Sequence, residues 1–348
     1  MVDIWLDAVT PKDSLLVSSL LPPLHEKGYK TIVTAKTQTQ TTDVLELLNV
    51  PYTCVGKYGE TLREKLAEEQ KRTLGFLELF DKIGLPKVLW THGDVGAIRT
   101  AFGLQIPIVY SNDTPHAFHV ARLVSPLVDW LVAPLPFGKT WSRFGIPKSK
   151  IILYDGVEEA AWLREPPKES LKLPEELAGK KRIVLFRNAE YKAAYCKDIK
   201  IDTWRLIKEL SKMATVLYLP RYEEEKGKLA EIEDVLVPSK TLLTFQMIPA
   251  IDLMVGSGGS ISREAALLGV PTISFQFWDV IARYLHRKGF PIQHVTSTDK
   301  IVRIAKRILA SSQKFKINTA RALKKLEDPV PLTVKLIEKC LKTPQISD

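Results

Sequence analysis

The chain has 348 residues, of which 45% are hydrophobic and 26% charged, and a net charge of +10. It is too long for one ordinary hydrophobic core and too apolar for a disordered chain, so two globular domains are expected. No apolar run reaches the ~18 residues of a membrane span, and Met1-Val2-Asp3-Ile4-Trp5 opens a strand without a basic-then-apolar leader, which points to a cytoplasmic protein.

Short apolar runs at 2–6, 31–35, 87–90, 107–110, 130–133 and 151–154 alternate with helix-length segments at 14–27, 42–48, 60–83 and 97–102. That alternation is the pattern of repeated βαβ units on a parallel sheet. Loops after three of these strands gather reactive groups at the carboxyl edge of such a sheet. They are Thr10, Lys12 and Asp13 after the first, His92 and Asp94 after the third, and Asn112, Asp113, His116 and His119 after the fourth. A carboxylate and an imidazole converging on one cleft make a general acid and base, worth ~10²–10⁴-fold in rate. Asp13, Asp94 and Asp113 also precede helical segments and read equally as N-caps, while His119, between Phe118 and Val120, reads better as a packed helix residue.

Leu163-Arg164-Glu165-Pro166-Pro167-Lys168 interrupts the periodicity, and 163–180 is the expected linker. Strand patterns resume at 182–186, 215–219, 252–255 and 271–275, with helices near 202–213, 280–288, 299–310 and 331–341. The expected division is therefore an α/β domain at 1–162, a second at 181–328, and a terminal helix at 329–348 that crosses back to the first. Two such domains imply a cleft, with ligands outside the carboxyl ends of the strands. Up to Trp162 there are 17 Lys and Arg against 18 Asp and Glu, and thereafter 33 against 22. A basic second half suits an anionic ligand, an acidic membrane surface or nucleic acid. Nucleic acid is disfavoured, because no binding module is recognisable. The lysine-rich helices between residues 300 and 342 read as solvated faces, with a membrane-surface patch as the sharper alternative.

Within the second half, Leu253-Met254-Val255 runs into Gly256-Ser257-Gly258-Gly259-Ser260 and then into a helix carrying Glu264. Backbone amides at such a helix start cradle an anion, Ser260 adds a hydroxyl, and a carboxylate one turn on reaches a ribose hydroxyl, so a nucleoside diphosphate fits. The alternative is a glycine-rich turn that only packs a helix on a sheet. Ile261 replaces the third glycine of a redox dinucleotide fingerprint, and no Gly-Lys-Ser or Gly-Lys-Thr ends a phosphate loop. Arg187 and Arg221 follow two further strands and offer bidentate forks to phosphate; surface pairs with Glu190 or Glu223 are the plainer alternative. Cys54, Cys196 and Cys340 are too scattered for a disulfide framework or a zinc knuckle, and no metal is expected. Few Met and Cys beside abundant Lys and Glu fit a thermophile.

The segment Gly258-Gly259-Ser260 through Glu264-Ala265-Ala266 and Gly269-Val270-Pro271 resembles the nucleotide-sugar site of GT-B proteins, which include the UDP-N-acetylglucosamine 2-epimerases and several inverting glycosyltransferases. Thr10-Pro11-Lys12 and Thr91-His92-Gly93-Asp94 look like the epimerases' first loop and His-Gly-Asp strand end. Asn112-Asp113-Thr114-Pro115-His116 is similar to a marker of a family of uncharacterised archaeal proteins in this superfamily. Of the epimerase catalytic set, only Asp94 is matched: Tyr110-Ser111-Asn112-Asp113-Thr114 lacks the glutamate, Arg122 has no acidic neighbour, and Asn188 follows Arg187 where a histidine is expected.

The resemblance implies a GT-B-like fold of two Rossmann-like parallel-sheet domains facing each other across a cleft, and a metal-independent glycosyltransferase using a UDP-sugar substrate without a cofactor. Gly258, Gly259, Ser260, Glu264, Arg187 and Arg221 would hold the donor. Asp94, His116, Asp113 and His92 would act in catalysis, and Thr10, Lys12 and Asp13 would form the acceptor or phosphate loop. Alternatives are a sugar-nucleotide 2-epimerase or hydrolase, or a non-catalytic sugar-nucleotide-binding subunit. Expected partners are a nucleotide sugar, an acceptor that is lipid-linked at the inner membrane surface in one version, and a second copy in a homodimer.

Overall fold

The computed structural model describes residues 2–342 apart from 38, 165–173, 190–200, 223, 230 and 276–279. The chain forms two compact units, one made of Met1–Trp162 with Glu327–Asp348 and the other of Leu163–Leu326. Half of the expected linker, 163–180, namely 165–173, lies outside the described residues. At its end Glu175–Leu177 forms a short 3-10 turn, and Leu177 packs into the core of the second unit.

The first unit is built on strands β1 (Ile4–Ala8), β2 (Thr31–Thr37), β3 (Thr53–Lys57), β4 (Val88–Thr91), β5 (Ile108–Ser111), β6 (Trp130–Pro134) and β7 (Ile151–Tyr154). They pair in the order β3-β2-β1-β4-β5-β6-β7, and every pair is parallel. Central strands β1, β4 and β5 are buried at every residue, because helices cover both faces of a parallel sheet. Trp5 on β1 meets Phe76 and Phe80 of the helix Leu62–Ile83 edge to face, with ring centroids 4.5 and 4.9 Å away. That helix starts with a capping box from Thr61 and Glu64, and its buried stripe is Glu68, Arg72, Phe76 and Phe80, four residues apart. The terminal helix Pro329–Lys342 packs on the helix Pro11–Glu26 and on β4, β5 and β6.

The second unit holds β8 (Ile183–Arg187), β9 (Thr215–Leu219), β10 (Val235–Leu236), β11 (Leu253–Gly256), β12 (Thr272–Ser274) and β13 (Ile292–His294) in the parallel order β10-β9-β8-β11-β12-β13. Phe186 stacks on Tyr218 at 5.5 Å and on Phe275 at 6.2 Å within its core.

In each sheet the strand order reverses beside the first strand of the unit, between β1 and β4 and between β8 and β11. Loops leaving the strands there diverge to opposite sides, and the carboxyl edge opens a crevice at that point. Asp7, Thr91 and the residues after them line the first crevice. Arg187 and Gly256, paired in register, line the second.

Three strands were not expected from the apolar runs: β3, β10 and β13. All three are sheet edges. The segment after β1 also differs from the expected loop, because the helix already begins at Pro11, leaving only Val9 and Thr10 between strand and helix.

Candidate functional site

The first crevice is filled by charge. Thr10 is the N-cap of the helix Pro11–Glu26, and Asp13 stands in its first turn, accepting from the amides of Val9 and Thr10 at 3.0 Å each. Asp13 is thus the reciprocal partner of the cap and not the cap itself. His92, half-buried at the end of β4, points its Nδ1 at Asp13 Oδ1, 3.2 Å away, and its Nε2 at the two oxygens of Glu158, 2.9 and 3.0 Å away. Lys12 reaches Asp113 at 2.7 Å and pairs also with Glu158. Asn112 fixes the backbone between them, donating to the carbonyl of His92 at 2.8 Å and accepting from the amide of Thr114 at 2.6 Å. Asp113 accepts from Thr114 Oγ1 and does not cap the helix Phe118–Val124, whose N-cap is Ala117.

Burial works against a charged imidazole here, but the carboxylates of Glu158 and Asp13 outweigh both burial and the repulsion of Lys12, holding the His92 pKa above the ordinary histidine value. Three carboxylates therefore face one ammonium and one imidazole that favours its proton. A ring nitrogen of His92 and carboxylate oxygens of Asp113 and Glu158 lie within 4.8 Å of one another, a spacing that holds a metal ion, yet Lys12 already sets an ammonium against both carboxylates.

Asp94 belongs to a second, deeper network. It is the N-cap of the helix Val95–Gly103, accepting from Ala97 N at 2.8 Å. Its carboxylate also meets Arg72 Nε at 3.1 Å and Lys36 Nζ at 2.5 Å. The guanidinium of Arg72, with no exposed surface, pairs in turn with Asp7 and donates to the carbonyl of Val55. Burial opposes the charge of Asp94, but Arg72 and Lys36 outweigh it and keep this carboxyl well below the usual range. For Asp7 burial dominates, assisted by the nearby charge of Asp94, and its pKa is pushed up to about 6 despite Arg72.

His116 and His119 are both exposed. The expected packing of His119 is thus not what the fold provides. Its helix buries Ala121 and Val124 and turns His119 outward against the ring of Phe118.

At the second crevice β11 ends at Gly256, Gly258 adopts a φ of 85°, and Gly259 is the N-cap of the helix Ser260–Leu267. Among the described residues, no side chain caps this helix start, in contrast to Thr10, Thr61, Asp94 and Asp202 elsewhere. Arg221 lies over the turn, its Nη2 3.7 Å from where a Cβ on Gly259 would stand, and its Nε donates to Asn188 O at 2.8 Å. Arg187 donates to the carbonyls of Leu219 and Pro220 at 3.0 and 2.7 Å. Glu190 and Glu223, the expected surface partners of these arginines, lie outside the described residues. Glu264 is buried and accepts from Thr244 Oγ1 at 2.5 Å.

Two participants escaped the sequence. Glu158 follows β7 at the same carboxyl edge, and the pair Glu158-Glu159 just after an apolar run was its available signal. Arg72 looks like one more surface charge in a highly charged helix; its spacing of four from Phe76 was the clue.

Two Rossmann-like parallel-sheet domains of seven and six strands, each with its crevice at a strand-order reversal, define a protein of the GT-B fold. The chain belongs to the family described as "Protein of unknown function (DUF354)", which matches residues 2–342. It is 27% identical over 282 residues to the uncharacterised protein MJ0665 of Methanocaldococcus jannaschii, covering 78% of this chain and 81% of that one. Among solved structures, the UDP-GlcNAc 2-epimerase from Neisseria meningitidis bound to UDP-GlcNAc is similar with a TM-score of 0.69 at 15% identity, covering 99% of this chain and 100% of that one. The spinosyn forosaminyltransferase SpnP is similar with a TM-score of 0.63 at 15% identity, covering 98% of this chain and 100% of that one.

Proposed function

We propose that this protein is a glycosyltransferase that takes a UDP-sugar donor in its second unit and needs no metal. The observation that carries this reading is the helix start at Gly259, left without a side-chain cap and overlooked by Arg221. Backbone amides and a guanidinium together suit a diphosphate, and the amides alone supply only ~0.3–1 kcal/mol toward an exposed anion, so the arginine is needed. Gly258 and Ser260 complete the cradle, Arg187 adds positive charge at the paired strand end, and Glu264 would exchange Thr244 for a ribose hydroxyl.

The first unit would supply the base. His92 is the strongest choice, with Asp13 as a counter-charge 3.2 Å from one ring nitrogen, while Lys12 balances Asp113 and Glu158 in the place a metal would take. Asp94, committed to a cap and two cations, would act as an electrostatic anchor. His116 remains as an exposed group for the acceptor. The test is calorimetry: the parent should bind UDP, and Gly259→Asp, which sets a carboxylate in the cradle, should abolish binding with no loss of melting temperature. Unchanged affinity in that variant, or none in the parent, ends the donor assignment.

A second reading, 2-epimerisation, is favoured by the fold shared with the Neisseria meningitidis epimerase. It requires acid and base on opposite faces of one sugar. UDP-N-acetylglucosamine in heavy water should keep its C2 hydrogen if the protein is a transferase; deuterium at C2 by mass spectrometry would put epimerisation first. A binding subunit without chemistry would take up UDP-sugars and turn none over.

A further inference from the structure

The helix Phe118–Val124 in the first unit turns five of its seven residues outward: Phe118, His119, Val120, Arg122 and Leu123. Phe118 and Leu123 are 52% and 55% exposed. The helix packs beside Val95–Gly103, where Phe102 is 52% exposed and Arg99 stands outward one turn earlier. Phe118 also rests on the ring of Phe144 at 5.8 Å, and the neighbouring Arg143 is exposed.

This surface has an unusual charge balance. From residue 95 to 128 the sole acidic residue is Asp113, which is buried and paired with Lys12. What that segment exposes therefore carries no carboxylate: apart from Gly103 and Gln105 it is aromatic, aliphatic, histidine or arginine. An exposed apolar patch marks an interaction surface, and large apolar side chains flanked by arginines match a membrane interface in which the rings enter the acyl boundary and the guanidinium groups meet anionic headgroups. A second copy of the chain fits poorly, since a two-fold contact through this face would bring together two copies of a segment whose exposed charges are arginines, with no exposed carboxylate in it to pair them.

We infer that the Phe118–Val124 helix, with Phe102 and Arg99 beside it, docks this protein peripherally on an anionic lipid surface. The assignment does not depend on the donor site of the second unit. A helix of this length lies in the headgroup layer and does not cross the bilayer.

Flotation of the full-length protein with vesicles tests it. The protein should float with phosphatidylcholine vesicles containing phosphatidylglycerol, not with phosphatidylcholine alone, and added salt should release it. Phe118→Ser with Leu123→Ser should abolish flotation, and Arg122→Glu should lower the partition coefficient on the order of tenfold or more. Both variants should keep the parental melting temperature and UDP affinity. Lys324→Glu with Lys325→Glu, in the basic helices of the second unit, should float like the parent. The inference fails if the parent does not float at low salt, if the Phe118 and Leu123 variant floats like the parent, or if the Lys324 and Lys325 variant alone loses binding. It fails also if the parent self-associates in sedimentation and the Phe118 and Leu123 variant does not, because the face then belongs to a second copy.

Discussion

Arg72, a cation, and His92, whose neighbours favour its protonated form, are held largely out of water, each between carboxylates. Arg72 joins Asp7 to Asp94 and lies over Phe76, 4.7 Å from the ring centroid to the guanidinium carbon. Removing one partner of a buried ionic group costs about 3–5 kcal/mol, since the others lose their counter-charge. Arg72→Met should therefore lower unfolding free energy in urea by roughly that amount, with Asp7 and Asp94 left facing each other. His92 carries the opposite sign of pH dependence from Asp94. Its folded pKa is raised, so its contribution is full below the unfolded value of about 6.5 and is lost as pH rises through the folded value. For Asp94, whose pKa is depressed, the contribution is present above about 3.9 and lost as pH falls. Unfolding at a series of pH values should show stability declining above neutrality in the parent and a flatter profile in His92→Gln. If His92 is the base, turnover should rise with pH through its pKa, and Asp13→Asn, by removing one neighbouring anion, should move that limb to lower pH. An unmoved limb removes His92 from the chemistry.

Elements differ in how plainly the sequence announces them, and the difference follows burial. β1, β4, β5, β9 and β11 are covered on both faces and read as continuous apolar runs. β3 is Thr53-Cys54-Val55-Gly56-Lys57 with only Val55 buried, and β13 is Ile292-Gln293-His294 with only Ile292 buried; at an edge one face meets water and the run disappears. The same logic governs the site. Residues at the ends of recognised strands, such as His92, Asp113 and Arg187, were visible, whereas Arg72 and Glu158 depend on which helix face and which loop turn inward. Gly269, in the Gly-Val-Pro that follows the helix Ser260–Leu267, has a φ of 82°, and a Cβ there would stand 2.0 Å from Ile317 O. Gly269→Ala should cost more than the ~1 kcal/mol of a left-handed alanine, because Ile317 donates its amide to the Gly269 carbonyl at 3.0 Å and cannot retreat without breaking that bond. Thermal unfolding of the variant checks it, with a wild-type midpoint as the contrary result.

At the scale of the whole molecule, the chain leaves the first unit at Trp162 and returns at Glu327. The returning helix is fastened by Ile337, fully buried, by the Lys27–Glu338 pair at 2.9 Å, and by Lys339 over Trp130 at 4.1 Å. Ile337→Ala should destabilise the seven-stranded sheet by about 2–5 kcal/mol. Hydrogen exchange should report lost protection in β4, β5 and β6, which the helix covers, and little change in β8 to β12; equal losses in both sheets would contradict this division. The return has a consequence for biosynthesis. A ribosome delivers residues 163–326 as one uninterrupted length, so the second unit has all its parts while the first still waits for its last helix. The unit that emerges first is the one completed last, and until residues 327–342 arrive its β4–β6 face is open for a chaperone to hold.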